Sequence, residues 1–360
     1  MASITKITPD VERVPKEQLE YRRLNIQRMQ NVVLIWLDSS IDMADEDYQN
    51  TIIHFNNPVN TYTSVDQCIE FIRTIEDQKV CILISGYLGQ QVIPNIHNMS
   101  QMHSIFILCG NKKRHEQWAK EWPKIKGVFT EIEPICDALK QAVHQCEQNA
   151  ISISFVASTQ KLDQLDPSFM YTQILKEILL TIKFDVTHIQ EYMDYCREVF
   201  VDNPEELNNV KEMERKYHQK TPIWWYSLES FLYPMLNRGI RLMDGDIMTR
   251  MGFFINDLHR QIEQLHNEQS ISKIFTVYRA QGLSKVDFEQ LKQTMGGLMS
   301  FNSFLSTSKK REISLGFAKR SASNPDLVGI LFVMTIDPKQ STTAFASIHD
   351  ISAIEGEDWV

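Results

Sequence analysis

The sequence predicts an α/β fold in its first half, a doubly wound parallel sheet. Central helices follow, and then an α+β domain that mixes strands and helices. Three observations predict this. Runs that are apolar throughout recur over 31–38, 79–86 and 104–110, separated by helical stretches, the pattern of strands covered on both faces. Residues 166–265 carry apolar side chains at helical spacing. From 272 onward, strand-like runs and shorter helical stretches alternate. The 360 residues suffice for two or three domains.

The elements follow in order. Residues 1–29 are a polar N-terminal arm without an apolar core, so they read as no secretory leader. NVVLIWLD (31–38) is the first buried strand, and SVDQCIEFIRTI (64–75) opens on Ser64, a plausible helix cap. KVCILISG (79–86) and SIFILCG (104–110) are strands stopped by glycine. HEQWAKEW (115–122) is a helix, KGVFTEI (126–132) a short strand and ICDALKQAVHQCEQ (135–148) a helix. Residues 30–150 therefore form one Rossmann-like or receiver-like domain. It has no glycine fingerprint after its first strand. Asp38 ends that strand, but the run over 79–86 ends in Ser85-Gly86 where receiver chemistry needs an Asp. The expectation is an interaction or regulatory module without chemistry of its own.

Residues 160–220 read as a helical linker. The segment 221–265 holds two or three amphipathic helices whose Trp224, Trp225, Tyr226 and Phe231 are core candidates. IFTVYR (274–279) is a strand closing on Arg279 ahead of Gly282. SFNSFLSTS (300–308) alternates as a strand, with Phe301, Ser303 and Leu305 on one face and Asn302, Phe304 and Ser306 on the other. It ends in the hydroxyls of Ser306, Thr307 and Ser308. Ser314 is positioned to cap a helix, and LVGILFVMTID (327–337) is a long strand. The sequence closes on SAIEGEDWV, three carboxylates beside an apolar pair.

The net charge of −9 argues against a nucleic-acid partner held by Lys and Arg. No stretch approaches the roughly 18–20 apolar residues of a membrane span. Six cysteines lie scattered without metal-ligand spacing, several in apolar runs. Reduced thiols, a cytoplasmic location and no metal are the expectation.

Arg279 in VYRAQ, the triplet Ser306-Thr307-Ser308 in FLSTS and a final Glu-x-Glu come in one order. That order resembles the R–S–E signature of the arginine-specific mono-ADP-ribosyltransferases. WWYSLESFLYPMLNRGIR resembles the helical part of the same family through Tyr226-Ser227, Leu236-Asn237 and Ile240-Arg241. The resemblance covers about 221–360. It implies a mixed catalytic domain with two small sheets around a cleft for NAD, which is a substrate here, with no metal. ADP-ribose would pass to an arginine of an acceptor protein, with NAD hydrolysis as side reaction. Arg279 would hold the NAD phosphates, with Thr307 and Ser308 nearby. Ser306 would position the catalytic Glu and the nicotinamide ribose.

Two registers of the acid pair stay open. In one, Glu357 is catalytic and Glu355 orients the acceptor guanidinium. In the other, matched by Val360 as the aliphatic residue after the catalytic position, that position falls on Trp359. An indole carries no charge, so the second register implies weak turnover. Two further functions remain: an inactive module that binds NAD or a protein, and a plain NAD glycohydrolase. The family's fold continues through further strands, so the resemblance also implies a C-terminally incomplete domain.

Overall fold

The computed structural model describes residues 30–42, 59–151, 153–156, 167–201, 203–228, 230–353 and 358–360. Its first half is built on five parallel strands: β1 (Val32–Leu37), β2 (Val59–Tyr62), β3 (Lys79–Ser85), β4 (Met102–Leu108) and β5 (Ile125–Phe129). Their order is β2-β1-β3-β4-β5, one of the two common doubly wound orders. The helices between them are α1 (Val65–Arg73), α2 (Gly86–Ile96), α3 (Lys112–Ala119) and α4 (Glu133–Asn149).

The sheet explains its own sequence. Val33, Ile35 and Leu37 of β1 face a core shared with α1, α2 and α3, while Val32, Leu34 and Trp36 face α4 through Ile135, Leu139 and Cys146. Both faces are dry, so no position in the run can be polar. Edge strand β2 reads VNTY and is half-buried, which is why no apolar run announces it. All six cysteines are free, and all but Cys109 are buried.

At the carboxyl ends of β1 and β3, where such sheets bind ligands, Asp38 is bonded locally and Gly86 is closely packed. Asp38 Oδ1 accepts from Ser40 N at 2.9 Å and Ser40 Oγ at 2.7 Å. The space a side chain would need at Gly86 is already filled by Cys109 Cβ, 2.6 Å from where a Cβ would stand. That glycine serves close packing rather than a phosphate.

Seven α-helices follow among the described residues: α5 (Pro167–Thr181), α6 (Val186–Val199), α7 (Pro204–Lys216), α8 (Pro222–Ser227), α9 (Leu232–Leu242), α10 (Gly245–Arg250) and α11 (Gly252–Gln269). Residues on either side of position 221 contribute to one core: Tyr192 and Val210 pack with Trp225, Leu236 and Phe254. No helix among the described residues is long and apolar enough to cross a membrane.

The last part comprises β6 (Ile153–Val156), β7 (Phe275–Ser284), α12 (Lys285–Gln293), β8 (Leu298–Phe301), α13 (Arg311–Ala322) and β9 (Leu327–Ile336). It contains two small antiparallel sheets, β6 with β8 and β7 with β9. Strand β6 thus belongs with a strand some 145 residues later. A chain begun near residue 160 would strip β8 of its partner.

Helix α13 lies across β7 and β9, and Gly329 makes the approach possible. A Cβ there would stand 2.0 Å from the backbone oxygen of Ala318. No rotamer relieves a backbone clash, so the helix and strand must separate. Gly329→Ala is expected to destabilise the protein by about 1–3 kcal/mol, the usual cost of overpacking. Urea unfolding measures this, and an unchanged midpoint would contradict the close packing of α13 on β9.

Candidate functional site

Strand β7 runs past Arg279, so the arginine sits within the strand, paired with Phe332 of β9, and not at its end. Its side chain is only 7% exposed. Nη1 donates to the backbone oxygen of Ser306 at 2.7 Å, while Nε and Nη2 are buried without a partner among the described residues. Those two N–H groups lie along one edge of the guanidinium plane, the fork that meets a phosphate or carboxylate with two parallel hydrogen bonds. A buried polar group without a partner costs about 1–3 kcal/mol, which an oxyanion on that edge would offset.

The alternating strand expected over 300–308 is interrupted. β8 ends at Phe301, and the next residues turn their polar groups to other elements. Asn302 Nδ2 donates to Ser154 Oγ at 2.9 Å, and Ser303 Oγ donates to Asn237 Oδ1. Extended pairing resumes only at Thr307 and Ser308. Ser308 exchanges backbone hydrogen bonds with Tyr278 of β7 at 2.8 and 2.9 Å.

The helical motif residues hold this segment in place. Tyr226 Oη donates to Phe304 O at 3.0 Å, two residues before Ser306. Burial pushes its phenol well above the usual tyrosine range, so the donor is not lost at ordinary pH. Ser227 Oγ accepts from Ala353 N at 2.7 Å, just ahead of the acidic stretch. Tyr226→Phe removes one buried hydrogen bond and is expected to lower stability by about 0.5–1.5 kcal/mol. Thermal unfolding checks this; a stability equal to the native chain's would mean the bond contributes nothing. Sequence reasoning noted the motif but not this pinning role, because the partners lie some 78 and 126 residues away.

The end of the chain is a strand segment. Thr307 and Trp359 exchange backbone hydrogen bonds at 2.9 and 3.1 Å, and Ala346 and Val360 do so on the other side at 2.8 and 3.1 Å. Since Tyr278 pairs with Ser308, Arg279 lies level with Thr307. Thr307 pairs with Trp359, which pairs with Ser347. Residues opposite one another on antiparallel strands share a face, so Arg279, Thr307 and Trp359 form one row on one face.

The Trp359 indole is 6% exposed. It stacks on Phe275 of β7 with ring centroids 4.3 Å apart, and Lys309 Nζ stands 4.7 Å from its ring.

Asp358, on the opposite face, anchors the segment. Its Oδ2 accepts from Ser308 Oγ at 2.9 Å and Lys309 N at 2.7 Å, and its Oδ1 lies 3.3 Å from His349 Nδ1.

The sequence-derived candidates thus separate. Arg279 and the backbone of Ser306 meet directly. The Thr307 hydroxyl reaches Trp359 O at 3.4 Å and that of Ser308 reaches Asp358, so both hydroxyls are engaged within the sheet. Glu355 and Glu357 lie outside the described residues. Ser314, expected to cap a helix, is instead inside α13, where its Oγ donates to Tyr278 O at 3.1 Å.

No family model, curated protein or solved structure matches the chain.

Proposed function

We propose that the C-terminal half is an ADP-ribosyltransferase-like domain that binds NAD and transfers ADP-ribose to arginine side chains of acceptor proteins. The observation that carries this reading is the buried Arg279, whose unpaired fork shares a row with Thr307 and the final strand segment. A diphosphate is the oxyanion of NAD that this fork would grip. Cleavage of the nicotinamide–ribose bond builds positive charge on the ribose, as in glycoside hydrolysis. A carboxylate close to that charge stabilises the transition state. The acceptor guanidinium, with a pKa above about 12, needs a second carboxylate to hold it and relieve it of a proton as it attacks. Glu357 is assigned the acceptor side. Trp359 takes the ribose side, where it supplies no charge, so turnover by the native sequence is slow.

A second reading, a module that binds NAD without turning it over, is favoured by that same burial of Trp359. Incubation with NAD labelled in its adenylate half and an arginine-rich acceptor separates the readings. Label on the acceptor supports transfer. Free ADP-ribose alone means hydrolysis, and calorimetric binding without turnover means the inactive module. Absence of NAD binding would sink both readings.

A further inference from the structure

A cleft of about 370 Å³ lies between the two halves, away from the Arg279 fork. Its floor is the amino-terminal edge of the parallel sheet, with Asn31, Lys79 and His103, and its far wall is the end of β7 from Gln281 to Ser284. Doubly wound sheets bind their usual ligands at the opposite edge, so this is a separate place. Clefts of this size at domain interfaces are where small ligands bind.

The two halves are tied together around it. Arg241 Nη2 donates to Asn31 Oδ1 at 2.6 Å, and Asn149 Oδ1 accepts from Gly282 N at 2.7 Å. Lys124, 1% exposed, meets Asp326 at 2.6 Å.

The lining carries an unusual set of unmet polar groups. Asn31 Nδ2, Asn149 Nδ2, Arg241 Nε, His103 Nε2 and Gln281 Oε1 are all buried and without a partner among the described residues. Asn31, His103 and Gln281 are each at most 5% exposed. Gln281 Nε2 is already committed to Ile151 O at 2.8 Å and Asn149 O at 3.2 Å, which fixes its free oxygen as an acceptor. His103 Nδ1 lies 2.8 Å from Ser104 Oγ. Accepting from that hydroxyl leaves the ring proton on Nε2. Burial, helped by Lys126, Lys79 and Lys124, pushes the imidazole down to about 4, so it is neutral at pH 7.

The unmet set therefore holds three fixed donors, one of them on a guanidinium, one fixed acceptor, and His103 Nε2, which donates in the tautomer whose Nδ1 accepts from Ser104. Asp77 and Asp287 also line the cleft, beside the apolar Met102, Phe155 and Leu327.

We propose that this interdomain cleft is a ligand site for a small oxyanion-bearing metabolite, no larger than a mononucleotide. Its carboxylate or phosphate meets Arg241 and Asn31. Its body covers the apolar lining, and its hydroxyl or amino groups serve Gln281 and the two aspartates. Buried donors left unmet are costly, and a multiply accepting anion answers several of them at once. The site does not depend on the NAD reading.

Calorimetry on the full chain with AMP, citrate and inorganic phosphate tests it, each titrated to about 1 mM, the weakest affinity of interest. AMP or citrate is expected to bind, and more tightly than phosphate, because phosphate lacks a body to fill the cleft. AMP binding best identifies a phosphate ligand, and citrate binding best a carboxylate one. Asn31→Asp keeps the oxygen that accepts from Arg241 but replaces the free donor with a negative charge. It is expected to weaken that binding about tenfold or more. Arg279→Ala is expected to leave it unchanged. No binding of any probe to the folded chain overturns the proposal. So does binding indifferent to Asn31→Asp, or binding lost in Arg279→Ala, which would place the probe at the other site.

Discussion

Trp359→Glu is expected to raise NAD turnover by about 10²–10³, the worth of a well-placed electrostatic group in a closed site. The position is level with Thr307 and Arg279 on one face of the sheet, so a carboxylate there would stand in one row with the Arg279 fork. The substitution has a cost. The indole is buried against Phe275 and lies 6.2 Å from Phe345, and losing such a side chain typically destabilises by about 3–5 kcal/mol. Lys309, now over the ring, offers the new carboxylate a partner. Turnover must therefore be measured per folded molecule, with circular dichroism fixing that fraction. Trp359→Gln, equal in size to the Glu variant but uncharged, carries the same packing loss and is expected to stay slow. Flat turnover in Trp359→Glu, with Glu357→Gln abolishing what activity exists, would show that Glu355 and Glu357 are the working pair.

How much of this was legible beforehand depends on how local each signal is. Strands β1, β3 and β4 announce themselves by apolar runs, since burial on both faces disfavours polar residues, though β4 carries the buried His103 and Ser104 near its start. Strand β2, half-buried at an edge, does not, and its place beside β1 is set by parallel pairing alone. Strand β6 is invisible in a different way: four residues whose strand partner among the described residues is β8, far along the chain. The run over 300–308 misled because alternation is necessary for a half-buried strand but not sufficient. Past Phe301 the ladder gives way to side-chain bonds, Asn302 to Ser154 of β6, the strand already paired with β8, and Ser303 to Asn237 of α9. The described residues of 166–265 are largely helical, but the segment from 221 holds four helices where two or three were expected; periodicity marks which face of each helix is apolar and says nothing of which helices share a core. That is why the residues on both sides of 221 could be read as separate segments.

The site divides along the same line. Arg279 was legible as a residue type in a motif. The free edge of its guanidinium among the described residues is a property of the packed state. The closing segment was legible as a strand, and Asp358, Trp359 and Val360 all take up backbone pairing. What no pattern in the sequence revealed is that Asp358 turns away from that row to bond Ser308 and Lys309.

Arg279→Ala should separate function from stability. A guanidinium kept in place for structure would hold its donors satisfied, and its removal would leave a hole and a lost network. Here a single hydrogen bond, to Ser306 O, faces two unmet buried donors. Deleting the side chain removes that desolvation cost, so stability should stay level or rise, the trade expected where function maintains strain. NAD affinity should fall by about 1.5–3 kcal/mol, the worth of a charge-assisted hydrogen bond, or roughly 10–150-fold in Kd. Arg279→Lys keeps the charge without the fork, and its affinity should lie between the two. Calorimetry with NAD and urea unfolding, run on the same preparations, give both quantities. A variant that unfolds several kcal/mol more easily while binding NAD as the native chain does would make Arg279 a packing residue and leave the NAD reading without its anchor.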